Sequence, residues 1–293
     1  MKRKKKILLT GGNSQIGQDL VRFFLKKYIV ISTYRNKKIP FKHKNLKQIK
    51  YNFNKNIKVP KNIDYFIHLA AMTPINAKVS KKMLIINKLG IEKILMQNIN
   101  FRSIVLISTF SVYGKINKKI INENQKPYKI DYYGKSKILV ENQIKKYSKK
   151  INSNFLILRL PGVIGNFQNK HTFLNKVLNN IYNNKDLIYK NPNSLTNNVI
   201  HTDTLARIIN SFFYNNKPKN KILNLCSKKK EKLKDIIEFI KNKFKSHSKI
   251  KEVYMKKDNS FYISTQRLTA NKIKIINTKK TILKTIKFYQ KLK

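Results

Sequence analysis

Eight residues near the start of the chain, Thr10-Gly11-Gly12-Asn13-Ser14-Gln15-Ile16-Gly17, restrict the fold more than any other stretch. Before them stands a short apolar run, Lys6 to Thr10, with the length and composition of a buried strand. After them, from Gln15 to Lys27, apolar residues recur at helical spacing: Ile16, Leu20, Phe23 and Phe24. A strand that turns through glycines straight into a helix lets the backbone approach a pyrophosphate. Free amides and the positive end of the helix dipole then face that group. The spacing departs from G-x-G-x-x-G and fits T-G-x-x-G-x-x-G, with Ser14 in place of the middle glycine. Glycine is otherwise scarce. Only eight occur in 293 residues, at 11, 12, 17, 90, 114, 134, 162 and 165, and all but Gly90 fall inside a motif, which marks them as backbone positions needing close approach or positive φ.

The rest of the chain extends the same pattern. Tyr28–Thr33, Lys47–Tyr51, Ile63–Leu69, Ser103–Ser108 and Asn154–Arg159 have strand character, and Lys82–Asn98 and Tyr133–Lys149 have helical periodicity. Strands alternating with helices predict an α/β fold: a Rossmann-type doubly wound parallel sheet covered on both faces. Past residue 165 the pattern loosens. Helices near 171–183, 203–214 and 231–245 are separated by short strands near 186–189, 199–201, 221–226 and 250–254. The expected organisation is a Rossmann dinucleotide-binding domain over 1–165 and a smaller C-terminal α/β substrate-binding lobe over 166–293, with the chain free to cross back.

Charge is the other conspicuous property. Lys and Arg total 65 against 13 Asp and Glu, a net charge of +52. Such an excess suggests a polyanion partner. Against that, Arg contributes only seven residues, leaving 58 Lys scattered along the whole chain among Asn and Ile, the mixture an AT-rich coding sequence produces. Arg is the side chain suited to bidentate recognition of bases and phosphates, so no specific nucleic acid is expected. A hydrophobic content of 41% with 11% aromatics excludes a disordered polycation. The lone Cys226 excludes a disulfide framework and a cysteine-rich zinc site, and no metal is expected. Behind the basic start the apolar run Ile7-Leu8-Leu9 is too short for a signal sequence, and no run of about 18 apolar residues suggests a membrane span. The expectation is a soluble, reduced, cytoplasmic protein.

Two further motifs carry chemistry. Tyr133-Gly134-Lys135-Ser136-Lys137 is a Y-x-x-x-K at a helix start, which puts the tyrosine and Lys137 on one face. An ammonium beside a phenol favours its ionised form, and a phenol so tuned can exchange a proton with a hydroxyl or carbonyl. Alone the pattern has little specificity in a lysine-rich chain. Leu106-Ile-Ser108-Thr109-Phe110-Ser111-Val112-Tyr113-Gly114 ends a central strand, and ligands of open α/β sheets bind beyond the carboxyl ends of strands. Its hydroxyls suit a substrate oxygen; strand-end capping is the plain alternative.

Together these motifs, with His68-Leu69-Ala70-Ala71, Asn87, Arg159-Leu160-Pro161-Gly162-Val163-Ile164-Gly165, Val199-Ile200-His201-Thr202-Asp203 and the tail from Ser264 to Tyr289, make the chain resemble the extended short-chain dehydrogenases/reductases. These are the NAD-dependent epimerase/dehydratase family of sugar-nucleotide enzymes. The motifs stand in the family's order over essentially the whole chain. The resemblance implies that Tyr133 is the proton donor and acceptor, that Lys137 lowers its pKa and binds the nicotinamide ribose, that Thr109 is the catalytic hydroxyl, and that Asn87 supports the lysine. Gly11, Ser14, Gln15, Ile16 and Gly17 then form the pyrophosphate loop. Asn52 and Phe53 stand beside the adenine, Leu69, Ala70 and Ala71 along the cofactor, and Pro161 near the nicotinamide. His68 is expected to be structural, Asp203 a helix N-cap, and Cys226 part of the substrate lobe.

Departures from the family pattern refine the expectation. No Asp or Glu occurs between Asp19 and Asp64, and Arg35 follows the second strand, which favours NADP(H) over NAD(H); Arg35 stacked on the adenine is the alternative. Phe110-Ser111 follows Thr109 where 4,6-dehydratases have two acids, so dehydration is not expected. Asn197 stands near a frequent substrate-binding Arg, and Gly162 at a frequent Asn. The lobe is short. The expected activity is therefore a 4-keto-sugar reductase acting on a nucleotide-linked sugar, with a nucleotide-sugar 4-epimerase or a non-catalytic NAD(P)-binding protein as alternatives. A homodimer is left open.

Overall fold

Apolar runs buried on both faces become the strands of one sheet, as the alternation predicts. The computed structural model describes residues 3–52, 57–75, 77–166, 172–256 and 260–291. In chain order the first elements are β1 (Lys6–Thr10), α1 (Gln15–Leu25), β2 (Ile29–Tyr34), β3 (Leu46–Lys50), β4 (Tyr65–His68), α2 (Lys81–Leu95) and β5 (Ser103–Thr109). A 3-10 turn over Phe110–Tyr113 leads to β6 (Ile120–Ile121), α3 (Tyr132–Lys150), β7 (Asn154–Leu160) and β8 (Gly162–Ile164). Then come α4 (Phe173–Tyr182), β9 (Leu187–Lys190), β10 (Leu195–Thr196), β11 (Val199–His201), α5 (Thr202–Asn215) and β12 (Lys221–Asn224). The last are β13 (Glu231–Lys232), α6 (Leu233–Phe244), β14 (Ile250–Val253), β15 (Tyr262–Ile263), α7 (Gln266–Ala270) and α8 (Thr278–Gln290).

The chain forms two compact units that alternate along it. One comprises Met1–Lys115, Lys126–Arg159 and Ala206–Leu223; the other comprises Ile116–Gln125, Leu160–Leu205 and Asn224–Lys293. The first unit holds a seven-stranded sheet in the order β12-β7-β5-β4-β1-β2-β3, flanked by helices. Its pairs β1–β2, β1–β4, β2–β3 and β4–β5 run parallel. Leu8 pairs with Ile31 on one side and Phe66 on the other, and Phe66 with Ile104. This row is buried in one cluster with Ile91 and Ile94 of α2 and Val140 and Ile144 of α3. Burying each such side chain stabilises the fold by roughly 2 kcal/mol, which makes the sheet a rigid base. Strand order reverses between β1 and β4. The ends of these two strands therefore border the crevice where an open sheet of this kind takes its ligand.

The second unit is built on shorter pieces. β8 pairs with β11, β9 with β14 and β6 with β15, all parallel, and β10 pairs with β13 antiparallel. Ile164, Val177, Leu178, Ile181, Ile236, Ile240, Ile282 and Ile286 form its core. Strands β6, β10, β13 and β15 have two residues each, too few for any periodicity to announce them. β12, by contrast, lies far along the chain yet forms the edge of the main sheet.

Candidate active site

At the end of β1 the backbone turns through Gly11 at φ +75°, where a Cβ would come 2.9 Å from the backbone of Ala70. Only glycine permits both the angle and the approach. Ser14 caps α1: its Oγ accepts from the Gly17 amide at 3.1 Å and donates to the Gly11 carbonyl at 2.8 Å. The first-turn amides of Gln15 and Ile16 have no carbonyl within their own helix to bond. The Gly11 amide donates to Thr33 Oγ1 at 3.2 Å, which ties the turn to the end of β2. Arg35, two residues further, is exposed. Beneath the turn, Ser32 Oγ is buried without a hydrogen-bond partner among the described residues. A glycine cradle, helix amides free of intrahelical bonds and an exposed guanidinium, with no Asp or Glu between Asp19 and Asp64, make a donor set that fits the pyrophosphate and phosphate groups of a dinucleotide.

The segment after β4 is locked to this turn by Thr10. Its Oγ1 accepts from the amides of Leu69 at 3.2 Å and Ala70 at 3.3 Å, and lies 2.9 Å from His68 Nδ1. With both lone pairs used, the hydroxyl proton goes to Nδ1, so the ring proton sits on Nε2. Burial pushes the imidazole down to about 3, with the charge of Lys137 acting the same way, so His68 is neutral. Leu69, Ala70 and Ala71 are half-buried at this strand end. Asn52, half-buried, follows β3. Phe53 lies outside the described residues.

Three successive turns of α3 lie along the end of β5. Asp131 caps the helix by accepting from the Gly134 amide at 2.7 Å. Gly134 packs so closely that a Cβ would overlap the Ser111 carbonyl. That approach lets Tyr133 hydrogen-bond to Thr109 through their side chains. Thr109 Oγ1 also accepts from the Ser111 amide at 3.2 Å. One turn on, Lys137 Nζ donates to the Ile107 carbonyl at 2.7 Å. Two turns on, Glu141 accepts from Ser108 Oγ at 2.6 Å. Tyr133, Thr109 and Lys137 are thus brought together. Asn87 is not bonded to Lys137. Its Oδ1 accepts from the Met72 amide at 2.7 Å, and its Nδ2 donates to the Met72 carbonyl and to Ser136 Oγ, each at 3.0 Å. It braces the segment after Ala71 and the residue before the lysine.

The electrostatics differ from the expectation in one respect. Burial pushes the Tyr133 phenol up to about 12; the bond to Thr109 pulls it down and Asp131 pushes it further up. Lys137 does not produce the expected lowering, because its ammonium is turned to the Ile107 carbonyl and burial dominates. Lys137 is itself pushed down to about 8 by burial, with Glu141 pulling it up. Near neutral pH the tyrosine keeps its proton and the lysine keeps its charge, the state of a poised acid.

Glu141 and Arg159 went unmarked as functional in the sequence. Arg159 donates to both Glu141 oxygens, at 3.0 and 2.8 Å, and to Tyr113 Oη at 2.9 Å. The signal available was the continued i, i+4 spacing Tyr133, Lys137, Glu141.

The second unit contains a cavity of about 840 Å³ with largely apolar walls, including Leu174, Val199, Ile236 and Phe261, and with Lys190 and Asn198 among its polar residues. Pro161 precedes β8 in this unit. Asn197 is fully engaged: Nδ2 donates to the carbonyls of Ser227 and Ile263, and Oδ1 accepts from the Ile263 amide. It staples three segments and has no group left for an anion. Asp203 lies inside the first turn of α5 rather than at its N-cap. The ring of His201 supplies the cap, accepting from the Asp203 amide at 3.0 Å, while Asp203 pairs with Lys284 at 2.6 Å. Cys226 is buried and its thiol is pushed up to about 12 by burial and then by Glu123, which makes it inert. Among the described residues no cluster of His, Cys, Asp and Glu could hold a metal, and no helix is long and apolar enough to cross a membrane.

A family model described as the NAD dependent epimerase/dehydratase family matches residues 7–226. The curated proteins include no match. Among solved structures, the chain is similar to a UDP-N-acetylglucosamine 4-epimerase from Methanobrevibacter ruminantium, in complex with UDP-N-acetylmuramic acid, with a TM-score of 0.82 at 18% identity over 100% of both chains. It is similar to a UDP-glucuronic acid 4-epimerase from Bacillus cereus, in complex with UDP-glucuronic acid and NAD, with a TM-score of 0.78 at 18% identity over 98% of this chain and 100% of that one. A dTDP-glucose 4,6-dehydratase from Bacillus anthracis in complex with NAD gives a TM-score of 0.76 at 17% identity over 98% and 97%.

Proposed function

Because the chain belongs to the NAD-dependent epimerase/dehydratase family, we propose that it inverts C4 of a nucleotide-linked sugar, as a 4-epimerase. The observation that carries this reading is the hydrogen-bonded pair Thr109 and Tyr133 at the end of β5, with charged Lys137 one turn on. Oxidation needs Tyr133 as the phenolate, so the phenol of the free protein must first lose its proton. The phenolate takes the proton of the sugar hydroxyl as that carbon is oxidised, and the phenol so formed returns it as the carbon is reduced. Thr109 holds the same oxygen. A bound nicotinamide dinucleotide supplies the hydride acceptor and donor. The loop of Gly11, Ser14, Gln15, Ile16 and Gly17 would hold its pyrophosphate and Lys137 its ribose.

Two features favour epimerisation over the other activities of the family. Dehydration needs acids after Thr109, and Phe110-Ser111 supplies none. Reduction was expected from a short lobe, but lobe length does not separate the activities: the chain and a 4-epimerase cover each other completely. For the cofactor, exposed Arg35 and the lack of an acid at the end of β2 support NADP(H) over NAD(H).

The test is incubation of the purified protein and dinucleotide, oxidised or reduced, with a panel of UDP- and dTDP-hexoses and their 4-keto forms, resolved by proton NMR. A 4-epimerase forms the C4 epimer with no net change in reduced cofactor. Conversion that consumes reduced cofactor one for one would make the protein a reductase.

A further inference from the structure

The last three residues of β5 meet three successive turns of α3. Thr109 bonds Tyr133, the Ile107 carbonyl takes Lys137, and Ser108 takes Glu141. The first two contacts belong to the proposed chemistry; the third lies behind it. Glu141 is 2% exposed. Oε1 accepts from Ser108 Oγ at 2.6 Å and from Arg159 Nε at 3.0 Å, and Oε2 from Arg159 Nη2 at 2.8 Å. Arg159 is in turn fixed by Tyr113, donating to its hydroxyl at 2.9 Å with the guanidinium 5.0 Å from the ring centroid. Such a carboxylate cannot swing away, so its negative charge stands at a fixed place one helical turn from Lys137.

We propose that Glu141 is a positioning residue for Lys137: clamped by Arg159 and Ser108, it holds the buried ammonium charged against the Ile107 carbonyl. This deepens the function proposed above and rests on Lys137 acting there. The groups around the ammonium leave Glu141 as the source of this effect. From β4, His68 is neutral; from α3, Tyr133 keeps its proton; from β7, Arg159 is cationic and disfavours a second cation. Glu141 is the carboxylate whose field acts on the lysine, and burial acts against that field. A structural ion pair would hold α3 to β7 without touching the proton of Lys137. A positioning residue changes that proton's affinity.

The experiment titrates the protein with 13Cε-labelled lysine by NMR and assigns Lys137 by the signal lost in Lys137→Met. In Glu141→Gln the Lys137 titration should move to lower pH by about 1 unit or more, the usual effect of removing a nearby opposite charge. Should that variant fail to fold, Glu141→Gln with Arg159→Met removes both buried charges at similar volume, a change cores often tolerate. Its Lys137 titration should lie below that of Arg159→Met alone, which keeps Glu141 and lacks the opposing cation. A titration unchanged in either comparison overturns the proposal. The measurement needs neither sugar nor dinucleotide, so its outcome is separate from that of the turnover test.

Discussion

Acidifying the protein from about pH 7 to about pH 5 is expected to weaken it by about 2 kcal/mol through His68 alone. The ordinary value for imidazole is 6.5, and burial pushes His68 down to about 3. The folded-state value lies below the unfolded one, so below 6.5 the unfolded chain takes up a proton that the folded chain refuses. The stability tied to a neutral His68 is therefore complete above 6.5 and drains as pH falls towards 3. From 6.5 to about 5, at about 1.4 kcal/mol per unit, the loss is about 2 kcal/mol. His201 is pushed down to about 4, by burial first and then Lys284, with Asp203 opposing. It loses a similar amount over the same window, and together they remove about 4 kcal/mol, a large share of a domain's stability. The assay is urea unfolding followed by circular dichroism at a series of pH values, for wild type and His68→Asn. Asparagine keeps an acceptor at the Nδ1 position for the Thr10 hydroxyl and does not titrate, so the difference between the two proteins cancels the carboxylates. Between about pH 7 and about pH 5 the loss of stability should be about 2 kcal/mol smaller in the variant. Equal slopes in both proteins would refute the burial argument.

Other outcomes follow from the same contacts. Turnover should fall as pH rises through about 8, where Lys137 loses its proton, and a rate that stays flat across that value contradicts the assignment. Gly134→Ala puts a methyl into the Ser111 carbonyl and the Ile130 side chain and should cost roughly 1–3 kcal/mol by urea midpoint. An unchanged midpoint would mean that α3 does not need this approach. Arg35→Asp should shift preference from NADPH towards NADH by about ten- to a hundredfold in a fluorescence titration, the scale of one charged hydrogen bond; no shift would remove the basis for NADP(H).

What could be seen in the sequence is what is encoded locally. The strand, glycine turn and helix over Lys6–Leu25 are one continuous stretch, and so is the start of α3 with Tyr133 and Lys137. Both were legible because the chemistry and the structure share the same few residues. Contacts between distant segments were not. Glu141 meets Arg159 across 18 residues and Ser108 across 33, and spacing says nothing of such pairs. Asp203 looked like a cap by residue type, but the ring of His201 reached the amide first. The pKa of Tyr133 was read from its neighbour Lys137, whereas burial, a property of the folded unit, decides it. β12 looked like a strand of the lobe and proved to be the edge of the main sheet, because an edge strand carries no mark of which sheet it joins.

Tyr133→Phe tests the central claim most directly. The change keeps the ring and its packing and removes only the hydroxyl that bonds Thr109 and carries the transferred proton. With a sugar nucleotide that the wild type is shown to epimerise, turnover should fall by roughly 10²–10⁴, the scale of a lost general acid, while dinucleotide affinity stays within a few-fold. Near wild-type turnover in a correctly folded Tyr133→Phe protein would contradict the account.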